Sequence, residues 1–196
     1  MSMISRKQQR QQSLQAALDD NPFLTDEQLA QQLEASVPTI RLDRLALGIP
    51  ELRERTKHMA LDAQKKLQAI ASEDIVGQLI DLELGHSGIS MMQITPEMVL
   101  KRTGVARGHF IFAQANSLAL AVIDAPAALT GIANVKYKVP VHQGDNLVAR
   151  AEVVRKVETK YTIWVKIRNN NKEVFRAKFL IVSIPKEGDN ENENSR

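Results

Sequence analysis

Residues 106–123 read ARGHFIFAQANSLALAVI, and their reading decides the architecture of the chain. The stretch reads as one helix. Phe110, Ile111, Phe112, Ala115, Leu118, Ala119, Val122 and Ile123 leave almost no polar side, and a helix apolar all round is expected to be enclosed on every side. Its first turn nevertheless carries Arg107, Gly108 and His109, and an amide, Asn116, lies inside it. Glycine lets a backbone N–H approach a ligand closely at the positive end of a helix, and a guanidinium binds a carboxylate through two charge-assisted hydrogen bonds. The helix is therefore expected to be buried, and at its start Arg107 either binds a carboxylate ligand or pairs with a nearby Asp or Glu, with Asn116 a satisfied core amide on the second reading.

Around it the hydrophobic period is that of strands. Before the helix, IVGQLIDLEL and GISMMQI read as two strands, and TPEMVLKR (95–102) as a short helix. After the break at Asp124-Ala125-Pro126 come LTGIANVKYKV, NLVARAEVVRKVE, YTIWVKIRN and VFRAKFLIVSI, with HQGDN and NNNKE as turns. Alternation in the last strands predicts an antiparallel sheet with one buried face. Residues 73–185 thus form two strands, a buried helix and four strands. The polar tail 186–196 is expected to be disordered.

Upstream the pattern is helical. A first helix is expected over about residues 6–20. Thr25 and Gln28 make a capping box for a second, with Leu29, Ala30 and Leu33 on one face. Ser36 caps a third, where Pro38 falls in the first turn and costs no intrahelical bond. Ile40, Leu45 and Leu47 are read as its inward contacts, and Gly48 and Pro50 end the unit. Two short capped helices joined by a tight turn predict a helix-turn-helix over residues 1–50. Glu34 stands where such turns often have glycine. Ser36, Thr39, Arg41 and Arg44 on the third helix are the residue types that phosphate contact and guanine readout require. A plain helical hairpin with a solvated basic face is the alternative. Residues 51–72 read as an amphipathic linker helix, with Leu52, Thr56, Met59, Ala63, Leu67 and Ile70 recurring at helical spacing.

The fold class is therefore α+β: helix-turn-helix, linker helix, and a curved antiparallel sheet around one central helix. Composition narrows the chemistry. There is no cysteine among 196 residues, so disulfides and thiolate catalysis are excluded. His58, His86, His109 and His142 have no metal-ligand spacing, and no metal site is expected. No segment has the run of about 20 apolar residues needed to span a membrane, and the start MSMISRKQQRQQ is no secretory signal. A cytoplasmic protein is the expectation. The net charge of +3 is unevenly spread: residues 133–182 hold 11 Lys/Arg against 4 Asp/Glu, a segment suited to a polyanion.

A long buried helix wrapped by a sheet in this order resembles the hot-dog fold. In hot-dog acyl-CoA enzymes a His-Gly-Gly turn precedes the helix and a catalytic carboxylate follows within it. On that pattern Arg107 stands at the histidine, Gly108 at the first glycine, His109 at the second glycine and Asn116 at the carboxylate. An amide cannot take a proton from water, so Asn116 argues against hydrolysis and no catalytic residue is assigned. Taken with SVPTIRLDRLALGIPELRER, the chain over roughly residues 8–182 resembles the FapR family, DeoR-like repressors of fatty-acid and phospholipid synthesis genes in Gram-positive bacteria. That resemblance implies a homodimer on a palindromic operator, released when malonyl-CoA binds the hot-dog domain, with Arg107 reading the malonyl carboxylate and no cofactor. It also implies effector contacts at Gly108 and Asn116, and at Leu100, where the family sometimes has an aromatic residue. The basic 133–182 segment would then meet the phosphates of CoA. The competing readings are a hot-dog thioesterase or dehydratase with an appended helical domain, and a DeoR-like regulator sensing another acyl-CoA or a sugar phosphate.

Overall fold

The computed structural model describes residues 6–170 and 172–184; the 186–196 tail, expected to be disordered, lies outside the described residues. The chain divides into two compact units, one up to Met59 and one from Ala60 onward.

The first unit begins with α1 (Arg6–Asp20), α2 (Asp26–Gln32) and α3 (Val37–Ala46). Leu14 and Leu18 of α1, Leu29 and Ala30 of α2 and Ile40 of α3 are its buried centre. Local chemistry sets the ends. Thr25 Oγ1 accepts from the Gln28 N–H while the Gln28 side chain accepts from the Thr25 N–H, a reciprocal pair that satisfies two otherwise free donors. Ser36 caps α3 by accepting from the Thr39 N–H. Between them Ala35 N–H donates to Ala30 O at 2.9 Å, closing α2 through Glu34, whose φ is +50°. That is the left-handed position glycine serves best, and here a glutamate holds it.

The helix expected over residues 51–72 is shorter. It is α4 (Leu52–Lys65), and the line between the two units falls within it. Arg55 donates to the carbonyls of Pro22, Leu24 and Pro50 and fixes the first half of α4 to the first unit. Leu67 and Ile70 keep the helical spacing in sequence, but they pack in non-helical backbone against the core of the second unit. Packing there overrides the continuation of the helix.

The second unit is one six-stranded antiparallel sheet in the order β1-β2-β4-β5-β6-β3 around a single helix. The strands are β1 (Gln78–Glu83), β2 (Ser87–Gln93), β3 (Ala127–Tyr137), β4 (Asn146–Val157), β5 (Lys160–Asn169) and β6 (Lys172–Ile184), and the helix is α5 (Gly108–Ala121). Ala149 and Ala151 of β4, Ile163, Val165 and Ile167 of β5, and Phe175, Ala177 and Phe179 of β6 share one cluster with Ile111, Ala115, Leu118 and Ala119 of α5. Burying each such large apolar side chain contributes about 1.5–3 kcal/mol. As the sequence implies, α5 has no open face: His109 is its one exposed residue. The short helix expected at 95–102 is only a 3-10 turn, Pro96–Met98. Beyond it the backbone turns back on itself, with Val99 bridged to Ala106 and Leu100 N–H donating to Val105 O at 2.8 Å.

Candidate functional site

In the first unit α3 has two faces. Inward lie Ile40, Asp43 and Arg44, all buried. Asp43 receives Arg10 Nε at 2.6 Å and Gln11 Nε2 at 3.0 Å, which tie α1 to α3. Burial pushes the Asp43 carboxyl up, but these two hydrogen bonds and the charge of Arg10 outweigh it and hold the group below the ordinary carboxylate value. Arg44, expected to reach DNA, is 3% exposed. Its Nε and Nη2 donate to the two carboxylate oxygens of Asp26, and Nη1 donates to Ile49 O. A guanidinium so engaged is an internal tie and is corrected to that role. Leu45, read as an inward contact, faces solvent.

The other three residues expected at DNA lie on the outward side of α3. Ser36 is exposed, and its hydroxyl is 2.8 Å from that of half-buried Thr39. Arg41 has a side chain 60% exposed and meets Asp26 only at 3.4 Å. Three of the four residues expected at DNA thus lie together at the start of α3 and along its open side.

In the second unit Arg107 is the N-cap of α5 but makes no side-chain cap. Its Nη2 donates to Glu97 O, its guanidinium carbon lies 5.1 Å from the centre of the Phe110 ring, and its Nε is buried with no partner among the described residues. The backbone N–H of Arg107 donates to Met98 O at 2.8 Å, so the turn after β2 fixes the entry to the helix. Gly108 suits a close approach: a Cβ there would lie 3.1 Å from the Tyr137 ring, which would have to give by a few tenths of an ångström. The Tyr137 hydroxyl donates to Gly108 O at 2.9 Å, and burial pushes its pKa up. A recess of about 300 Å³ opens beside this contact, lined by Val105, Ala106, Ile111 and the run from Tyr137 to Val141.

Leu100 is half exposed at the base of the turn that leads to Arg107. Asn116 lies about 12 Å further along α5 than Gly108, at 1.5 Å per residue. It is half-buried, and its Oδ1 accepts from the Thr130 hydroxyl of β3 at 2.8 Å. The fold therefore groups Leu100, Arg107 and Gly108 at one end of the helix and sets Asn116 apart against β3.

Two residues of this region were not singled out from the sequence. Tyr137 reaches Gly108 from 29 positions away, and only the alternation of β3 hints that it faces the helix. Gln114 is fully buried; its Nε2 lies 3.4 Å from Ser90 O and from Ser90 Oγ, and its Oε1 has no partner among the described residues. A glutamine inside an otherwise apolar helix was the available signal. The basic segment resolves into a cross-strand row on the outer sheet face, with Lys136 opposite Arg176, Arg176 opposite Lys166, and Lys166 opposite Arg150. Lys138, which lines the recess, is ion-paired with Glu173 at 2.5 Å.

A helix-turn-helix unit joined to a hot-dog unit with a cation at the start of its central helix defines a class of two-part DNA-binding regulators. Comparison with known proteins agrees. No family model matches the chain. It is 51% identical over 184 residues to the transcription factor FapR of Caldanaerobacter subterraneus subsp. tengcongensis, covering 94% of this chain and 92% of that protein. It is 48% identical over 162 residues to FapR of Geobacillus sp. strain WCH70, covering 82% of each. The chain belongs to the FapR family of transcription factors. Solved structures share the hot-dog fold of the second unit. An uncharacterised protein of Pyrococcus horikoshii matches with a TM-score of 0.54 and 27% identity, over 58% of this chain and 86% of its own. The PaaI protein of E. coli matches with a TM-score of 0.51 and 20% identity, over 55% and 78%.

Proposed function

We propose that this transcription factor represses fatty-acid and phospholipid synthesis genes, binding a palindromic operator as a homodimer and leaving it when malonyl-CoA occupies the hot-dog unit. The observation that carries the reading is the unsatisfied Nε of Arg107 at the start of α5. An unpartnered buried donor on a guanidinium is costly unless an anion meets it. A malonyl carboxylate has the charge and the paired oxygens to do so, with Gly108 admitting the acyl end and Leu100 on the approach. Asn116, held by Thr130 about 12 Å along α5 from Gly108, meets a part of the ligand remote from the carboxylate and brings no acid–base chemistry to it, which favours binding over hydrolysis. No cofactor takes part. Ser36, Thr39 and Arg41 contact the operator.

Two further features support the assembly. Strand β3 is at the edge of the sheet, eleven residues long, with Leu129 and Ile132 more than half exposed. A long apolar edge calls for a partner, and pairing with the same strand of a second copy provides one. Two copies then present two α3 helices to two operator half-sites. No helix among the described residues is long and apolar enough to cross a membrane; the protein would work in the cytoplasm, where DNA and CoA thioesters meet. The test is a gel shift on promoter DNA of fatty-acid synthesis genes, titrated separately with malonyl-CoA, acetyl-CoA and free CoA. Release by malonyl-CoA alone is the expected result. Equal release by acetyl-CoA would defeat the carboxylate-reading role, and no shift on any such promoter would defeat the target assignment.

A further inference from the structure

The open face of α3 carries Pro38, Arg41, Leu42 and Leu45, at the spacing i, i+3, i+4, i+7 of one helical stripe. Leu42 is 68% and Leu45 72% exposed, the two highest values among the exposed large hydrophobics of the described residues. Isolated exposed leucines are ordinary. Two of them one turn apart, next to an exposed arginine on a ten-residue helix, form a surface. Rotation of the helix cannot hide them, because Ile40 fills the core on the opposite side and Asp43 and Arg44 are tied to α1 and α2. Their occupant lies outside this unit.

The chemistry of the stripe selects that occupant. Its single charge is a cation and it carries no acid, which suits a polyanion better than an average protein surface. The major groove of DNA presents one apolar group, the C5-methyl of thymine, beside the O6 and N7 acceptors of guanine that arginine reads. Leu42 and Leu45 differ by about 4.5 Å along the helix axis, while successive bases on one strand are about 3.4 Å apart, so the two side chains reach methyls one or two steps apart. We propose that Leu42 and Leu45 are specificity-determining residues that read thymine methyl groups, with Arg41 reading a guanine next to them. This rests on α3 being the DNA-reading helix, and it predicts half-sites in which thymines adjoin a guanine.

The test uses the full chain. A duplex is selected by the protein from a randomised pool, then resynthesised with deoxyuridine in place of one thymidine at a time, which removes a methyl and nothing else. Affinities are measured by fluorescence anisotropy for the unaltered protein, Leu42→Ala, Leu45→Ala and the volume-conserving Leu42→Met. At one or two positions deoxyuridine should weaken the unaltered protein about fourfold, the value for one buried methyl-sized group. Leu42→Ala and Leu45→Ala should each bind the thymidine duplex more weakly and become indifferent to one of those positions. Leu42→Met should keep the discrimination, and helix content should be the same in all variants. Indifference of the unaltered protein to every deoxyuridine, or an alanine variant that still loses the full factor, overturns methyl reading. Failure to enrich any duplex would instead overturn DNA reading by this chain.

Discussion

Arg44 of α3 and Asp26 at the first position of α2 form a two-point ion pair, Nε to Oδ1 at 2.7 Å and Nη2 to Oδ2 at 2.9 Å. The pair joins the two helices of the DNA-binding motif from within. It also holds the carboxylate at a helix start, where the helix dipole favours negative charge. Arg44→Ala is expected to lower the stability of the first unit by on the order of 3 kcal/mol, since it strands a largely buried carboxylate. Chemical unfolding followed by helical circular dichroism measures this. A variant as stable as the parent would show that the pair contributes nothing.

The same pair sets an acid limit. The Arg44 hydrogen bond is the main reason that the Asp26 carboxyl sits below its ordinary value of 3.8. A carboxyl lowered in the folded state stabilises the fold above its unfolded pKa, and that stability fades as pH falls through the folded value. Melting temperature of the first unit should therefore be flat from neutral pH to about 5 and drop below about 4. In Asp26→Asn the same titration should be shallower. An identical acid profile in that variant would remove Asp26 from the cause.

Arg107→Ala should bind operator DNA with unchanged affinity but resist release by malonyl-CoA. Loss of a charge-assisted hydrogen bond worth about 1.5–3 kcal/mol corresponds to roughly 10- to 150-fold weaker effector binding. Calorimetric titration with malonyl-CoA gives the affinity, and a gel shift gives the release. Release at parental concentrations would assign carboxylate reading elsewhere.

Purified protein should not hydrolyse malonyl-CoA or acetyl-CoA, because the position of the catalytic carboxylate holds the Asn116 amide and the chain has no cysteine. Thiol release followed with a chromogenic reagent is a direct assay. Steady turnover that disappears in Asn116→Ala would make this chain an enzyme as well as a regulator.

Glu34→Gly should stabilise the helix-turn-helix by about 0.5–1 kcal/mol. A left-handed backbone costs a side-chain-bearing residue about 1–2 kcal/mol, and the extra freedom glycine gains on unfolding offsets part of the relief. Thermal unfolding would show a small rise in midpoint. A lower midpoint would mean that the glutamate side chain has a stabilising role of its own.

What could be read from the sequence was mostly what neighbours in the chain decide. The limits of α1, the caps at Thr25 and Ser36, the succession of strands and helix along the second unit and the enclosed α5 all follow from short-range chemistry or hydrophobic period. Arg44 was misassigned although the period was available: it is one turn beyond Ile40 and so shares that buried face, whereas Arg41 and Leu45 share the open one. The end of α4 could not be read, because Leu67 and Ile70 keep helical spacing while they pack, in non-helical backbone, against the core of the second unit to which they belong. Among the candidate effector residues, Arg107 and Gly108 could be singled out from the sequence, but not what packs against the glycine. That partner is a ring carried in from β3, and no local pattern announces it.

The fit of Tyr137 over Gly108 has a genetic consequence. Because the ring sits where a methyl group at 108 would press on it, the two positions are coupled: Gly108→Ala should push the half-exposed Tyr137 ring outward by a few tenths of an ångström, and a smaller residue at 137, 29 places downstream, should relieve the effect of that substitution.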